Sequence, residues 1–286
     1  MSRHGAAPAA AGSIPVHLRP VDALPLVLPV GTDRVGPIAA DRTGIGWEAR
    51  TPAVRFLHRH PPGTHRPGNG PTPGRSPVAV TVCWSAKGGS GTTVVAATLA
   101  LANPTDSLLI DLDGELPAVL GLPEPAGQGI ADWLGCDAPP GALADLTVEV
   151  NRSTQLVPRG SRPVDRCSPR WADVGEWLAA RPYAVIVDAA TGDPPNPLGD
   201  IGRTLLVTRA CYLALRRAVA TPWRPDGVVL VTEPGRALRG PDVERAIGVP
   251  VVASVSVDPA VARAVDAGLL AARIPRVLQR ELRGAA

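Results

Sequence analysis

The chain contains a single lysine, Lys87, and every other member of its 29 Lys and Arg residues is arginine. Lys87 stands between an apolar run, Val78–Cys83, and a glycine cluster, Gly88, Gly89 and Gly91. An ammonium is a compact charge that can reach one phosphate oxygen, and a planar guanidinium does not replace it there. Ser90, Thr92 and Thr93 complete the cluster, and Thr93, at its end, is placed to ligate Mg²⁺. Further along, Asp111 and Asp113 close one apolar run, Ser107–Asp113, and Asp188 closes another, Tyr183–Asp188. Carboxylates at the C-terminal ends of strands face the ligand crevice of an open α/β sheet. A lone cation, a glycine turn, a hydroxyl and three aspartates in this order suit a polyphosphate held with a divalent metal.

Defined elements must position these groups. Val78–Cys83 is a short β-branched run suited to a buried strand. Thr92–Ala102 is rich in alanine and leucine without a breaker and predicts a helix. A strand, a glycine loop and a helix N-terminus form a phosphate cradle, because free backbone N–H groups and the helix dipole both favour an anion. Further strands are predicted at Thr154–Val157, Arg203–Thr208, Asp226–Thr232 and Val249–Ser254. Helices are predicted at Gly129–Leu134, Trp171–Ala180, Leu213–Ala220 and Pro241–Ile247. The expected architecture is α/β: a mostly parallel, twisted sheet of about seven strands with helices on both faces.

Composition sets the outer bounds. Residues 1–77 are rich in Pro, Gly, Ala and Arg and read as a disordered leader, leaving 78–286 as the nucleotide-binding domain. The leader carries 9 Arg against 4 acidic residues, whereas residues 78–286 carry 20 basic against 22 acidic. That slightly acidic body speaks against a duplex-DNA binder. The patch Arg55–His60 reads as a solvated basic tail that could touch acidic lipid or nucleic acid. All 5 histidines precede residue 78, which removes Ser-His-Asp chemistry and histidine-ligated metals from the remainder. The 4 cysteines form no C-x-x-C pair and read as thiols of a reducing compartment. No apolar run is long enough to span a bilayer, and a cytoplasmic location is expected. Arg152, Arg159, Arg162, Arg166 and Arg170 read as a charged, mobile surface loop that could meet nucleotide or a partner.

The general P-loop pattern, G-x-x-x-x-G-K-[ST], is not met: Ala86 and Thr92 replace its first glycine and its lysine, and only Gly91 and Thr93 fit. The segment resembles the deviant loop, KGGxGK[ST], of the ParA/MinD ATPases, with Lys87 as that family's extra lysine. Its departure at Thr92 resembles the CpaE/TadZ branch, which is linked to pilus assembly and polar positioning. Residues 187–192, Val-Asp-Ala-Ala-Thr-Gly, resemble the MinD-type second switch, and the resemblance extends over about residues 78–275. It implies ATP and Mg²⁺ as ligands, with Gly88, Gly89, Ser90, Gly91, Thr92 and Thr93 around the phosphates. It implies Thr93, Asp111 and Asp188 at the metal, Asp111 through a bound water. Asp113 would orient the attacking water, and the Gly192 amide would sense the γ-phosphate. Thr232, Glu233, Val257 and Pro259 would lie near the base. Lys87 would reach into the partner's site in a nucleotide-dependent homodimer. The output would be positional, at a septum, a pilus or a chromosome locus, with hydrolysis weakened by Thr92. A nucleotide-independent scaffold of CpaE type and a DNA-partitioning ATPase are the alternatives. Pro275–Arg283 reads as a final helix that could contact membrane, as in MinD, or simply dock on the sheet.

Overall fold

The computed structural model describes residues 80–125 and 127–285. The leader expected over residues 1–77, its Arg55–His60 patch, and residues 78 and 79 of the first predicted strand lie outside the described residues. In chain order the elements are β1 (Val80–Ser85), α1 (Thr92–Leu101), β2 (Ser107–Asp111), α2 (Leu116–Leu120), α3 (Ile130–Leu134), β3 (Val148–Glu149), β4 (Thr154–Val157), α4 (Trp171–Ala179) and β5 (Ala184–Thr191). They continue as α5 (Leu198–Ile201), β6 (Arg203–Arg209), α6 (Tyr212–Ala220), β7 (Gly227–Thr232), α7 (Gly240–Ile247), β8 (Val251–Ser256), α8 (Pro259–Asp266) and α9 (Arg276–Glu281).

Among the described residues the strands form one sheet of eight, in the order β3-β4-β2-β5-β1-β6-β7-β8. All neighbours pair in parallel except β3 with β4. The seven expected strands are present. The eighth, β3, is a two-residue antiparallel edge, too short to leave a period in the sequence.

The central strands are Val/Leu/Ile runs because both sheet faces are covered. One face packs against α3, α4, α6 and α7 through Trp133, Trp171, Val174, Leu178, Leu215 and Val243. The other carries α1, α2 and α9 through Val95, Leu99, Leu116, Leu120, Leu278 and Leu282. Helix α1 is buried on nearly every side, since Thr92, Val95, Ala96, Ala97, Thr98, Leu99 and Ala100 are all enclosed. Helix α9 spends its apolar side on the core: Leu278 is 1% exposed and Leu282 2%. Glu281 also accepts a hydrogen bond from the Ser256 amide of β8 at 2.8 Å. Of the two readings of this helix, the structure places it docked on the sheet, with Arg276, Arg280 and Arg283 outward.

Candidate functional site

The order β5-β1-β6 puts β1 between two strands that leave on different connections, so the turn after β1 opens at the C-terminal edge of the sheet centre. That turn is residues 86–91. Gly89 and Gly91 take φ of 72° and 92°, the left-handed region that excludes most side chains. A Cβ built on Gly89 meets nothing within 4 Å, so the turn faces open space. Ser90 Oγ donates to the Lys87 carbonyl at 2.6 Å and closes the turn, while Gly91 caps α1 and accepts from the Val95 amide at 3.0 Å. Gly88 and Gly89 are exposed and Thr92 is buried at the helix start. Lys87 is half-buried, and its Nζ donates to the Gly88 carbonyl at 3.2 Å.

Two of the three aspartates meet beside this helix end. Asp111 and Asp188 are register partners on β2 and β5, and Asp188 also pairs with Cys83 of β1. Their strand neighbours Leu109, Ile186 and Cys83 belong to the core that holds α1, so both carboxylates fall on the face of Thr93. Burial pushes the Asp188 carboxyl up to about 7, with the nearby Thr93 hydroxyl and the Ala190 amide pulling the other way. Its Oδ1 accepts from the Ala190 amide at 3.1 Å, whereas Oδ2 is buried with no hydrogen-bond partner. Burial also pushes Asp111 up to about 6, although three amides oppose it. Asp111 Oδ1 accepts from Asp113 and Gly114 at 3.0 and 2.7 Å, and Oδ2 from Leu116 at 3.3 Å. Asp111 therefore organises the turn after β2. Asp113 itself is exposed, and its carbonyl accepts from Arg159 Nη1 at 2.6 Å.

At the end of β5, Gly192 takes φ 101° and its amide donates to the Ser85 carbonyl at 2.8 Å. Ala190 takes φ 59°, an uncommon value for a residue with a Cβ. Ser85 Oγ donates to the Ala190 carbonyl at 3.4 Å. The end of β7 is also close, because a Cβ on Gly91 would lie 3.9 Å from Val231 Cγ2. Thr232 accepts from the Val257 amide at 2.9 Å, so those two expected base neighbours adjoin; Val257 is half-exposed, and exposed Pro259 begins α8. Glu233 is gripped by Arg209 and Arg236. A cavity of about 350 Å³ is lined by Thr232, Glu233, Arg236 and Arg239; neither Val257 nor Pro259 nor residues 87–93 line it.

Sequence reasoning read Arg166 and Arg170 as part of a charged, mobile surface loop and missed their backbone anchors. Arg166 donates to three carbonyls of the β5 end, and Arg170 donates to the carbonyls of Trp133, Cys136 and Ala138 while lying 3.4 Å from the Trp133 ring centroid. This loop is fastened to backbone and is not merely a solvated charge run. Arginine bound to carbonyls leaves no compositional mark, so no signal in the sequence could have found it.

No protein-family model matches this chain, and no curated protein sequence matches it. Solved structures do. A ParA family ATPase from Chlorobium tepidum superposes with a TM-score of 0.56 over 72% of this chain and 96% of its own, at 19% identity. The septum site-determining protein MinD from Pyrococcus horikoshii, in complex with Mg-ADP, gives 0.57 over 68% and 87%, at 21% identity. The fold is that of the ParA and MinD ATPases. Cyanothece McdA in complex with ATP shares it at a TM-score of 0.53 over 73% of this chain and 95% of its own, at 17% identity. In this sheet β5 lies between β1 and β2, and Asp188 is in register with both Cys83 and Asp111, so Asp111 and Asp188 stand beside the turn after β1 that carries Lys87 and leads to Thr93. Among the described residues no cluster of three His, Cys, Asp or Glu could enclose a metal unaided. A hydroxyl and one or two carboxylates instead suit Mg²⁺, which takes its remaining oxygens from phosphates and water.

Proposed function

We propose that this chain is a ParA/MinD-like switch protein that binds ATP with Mg²⁺ and acts in spatial positioning, with weak or absent hydrolysis. The observation that carries the reading is the buried, unpartnered Oδ2 of Asp188 beside Thr93 at the start of α1. A buried carboxylate oxygen without a donor is costly, and a hydrated divalent cation at this place would satisfy it. The open glycine turn and the free first-turn amides of α1 supply the matching anion site.

In this reading Thr93 and Asp188 hold the cation, Asp111 through a water, and residues 88–93 hold the phosphates. Bound Mg²⁺ supplies charge neutralisation on the phosphate oxygens. Asp113 orients the attacking water, and the Gly192 amide meets the γ-phosphate after leaving the Ser85 carbonyl. Lys87 releases the Gly88 carbonyl and reaches across to a second copy in a nucleotide-dependent homodimer. Thr232, Glu233, Val257 and Pro259 border the base. Residues 1–77 serve as a leader to the nucleotide-binding domain of 78–286, and the whole acts in the cytoplasm with a septation or pilus-assembly partner. No helix among the described residues is long and apolar enough to cross a membrane.

Thr92 removes one positive charge from the loop. Losing one preorganised donor of this kind costs roughly a hundredfold or more in rate. Calorimetry with Mg-ATP tests binding, and the ATPase rate of the parent against Thr92→Lys tests the role of the missing charge. Binding at micromolar strength with faster turnover in the variant is expected. No heat of binding would leave the scaffold reading, and equal turnover would remove Thr92 as the cause of slow hydrolysis.

A further inference from the structure

Arg166 lies between β4 and α4, outside every motif in the nucleotide reading, yet it is tied to the site. Its Nη1 donates to the Asp193 carbonyl at 2.6 Å, and its Nη2 donates to the carbonyls of Ala189 and Thr191 at 2.6 and 3.3 Å. Three acceptors on alternate residues bracket Ala190 and Gly192. These two are the left-handed pair, with φ 59° and 101°. A single planar group spanning three carbonyls fixes the path of the backbone between them, because its donors stand in a rigid fork. The path so fixed is the one in which the Gly192 amide donates to the Ser85 carbonyl at 2.8 Å and is therefore already engaged. The guanidinium is half-buried and feels Asp113, Asp193 and Asp188 together, so its charge belongs to the same crevice as the candidate metal ligands.

We propose that Arg166 is a positioning residue: a latch that holds the turn Ala189–Asp193 in the retracted conformation, with the Gly192 amide on Ser85 and unavailable to a γ-phosphate. This rests on the nucleotide reading above only where it concerns the phosphate. A γ-phosphate must then draw the turn off the latch, whereas a diphosphate leaves it in place. Arg166 therefore lowers the affinity for ATP relative to ADP, and its release carries the nucleotide state outward to residues 158–170. A group that favours one of two conformers shifts the apparent affinity of a ligand selective for the other.

The test uses the full chain as parent, Arg166→Ala, Arg166→Lys and the exposed control Arg162→Ala. Amide hydrogen exchange without nucleotide is expected to rise about tenfold or more at Thr191–Asp193 in Arg166→Ala, with Val185–Val187 unchanged, since the loss is local. Arg166→Lys, which keeps the charge and loses the fork, falls between, and Arg162→Ala matches the parent. In calorimetry, Arg166→Ala is expected to tighten binding of Mg-ATPγS by about tenfold while Mg-ADP is unmoved, a ratio that a merely structural residue would not change. Unchanged exchange at Gly192, or equal weakening of both nucleotides, overturns the latch. If the parent binds neither nucleotide, the nucleotide reading fails and exchange alone decides whether Arg166 holds the turn.

Discussion

Removing the charge at Asp188 should make the nucleotide-free protein more stable at alkaline pH, not less. The unfolded carboxyl titrates near 3.8, and the folded one is raised to about 7 by burial. Between these values the native state holds the proton more tightly than the unfolded chain, so stability falls as pH rises and levels off above the folded value. Each tenfold change in proton affinity is worth about 1.4 kcal/mol, so keeping this carboxylate ionised costs roughly 4 kcal/mol. Asn at this position keeps an acceptor for the Ala190 amide, 3.1 Å from Oδ1 now, but places an NH₂ where Oδ2 lies unpartnered. That buried donor costs about 1–3 kcal/mol. The net gain for Asp188→Asn is therefore ~1–3 kcal/mol at about pH 8.5, shrinking to zero or reversing near pH 5, where the parent is protonated. With a urea slope of roughly 2 kcal/mol/M, the midpoint should rise by about 0.5–1.5 M at the higher pH. Urea titrations of both proteins at the two pH values measure this. A variant less stable than the parent at pH ~8.5, or a difference that does not change with pH, would refute the burial argument.

Three further substitutions test the geometry. Gly91→Ala places a Cβ at φ 92° on the cap of α1, so it should cost about 1–2 kcal/mol of stability and abolish Mg-ATP binding. Gly88→Ala, whose nearest neighbour atom is Thr191 Oγ1 at 3.7 Å, should fold like the parent in thermal melts. Leu278→Ala should destabilise by about 2–4 kcal/mol, because that side chain is 1% exposed in the core beside β8. Flotation with acidic liposomes should not depend on Leu278; loss of liposome binding by a folded variant would return α9 to the membrane role.

The strands were legible because buried parallel strands are continuous β-branched runs, and Val185-Ile-Val187 before Asp188 is such a run. The turn after β1 was legible because Gly89 and Gly91 both need φ values that few other residues adopt. Asp188 was found as the acid that closes an apolar run, although β5 continues past it to Thr191. The same rule made Asp111 and Asp113 equivalent, whereas the structure separates them: Asp111 binds three amides and Asp113 is exposed. Strand position tells where a carboxylate emerges, not which backbone amides it meets there. Arg166 was illegible for a related reason, since its partners are carbonyls, which every residue has. The strand β3 was missed because two residues carry no alternation.

Helix α1 is enclosed on almost all sides, from Thr92 to Ala100. A cylinder packed that way has no free flank along which to slide or roll without opening voids against Val229, Ile186 and Leu109 at once. It behaves as a fixed pier, and whatever arrives at its tip cannot be answered by moving it. Displacement must pass instead into the short peptide spans that leave the sheet beside that tip, after β2, β5 and β7. Those spans hold Asp113 after β2, Gly192 after β5 and Glu233 after β7, so the part of the molecule least able to move is what obliges its surface to do so.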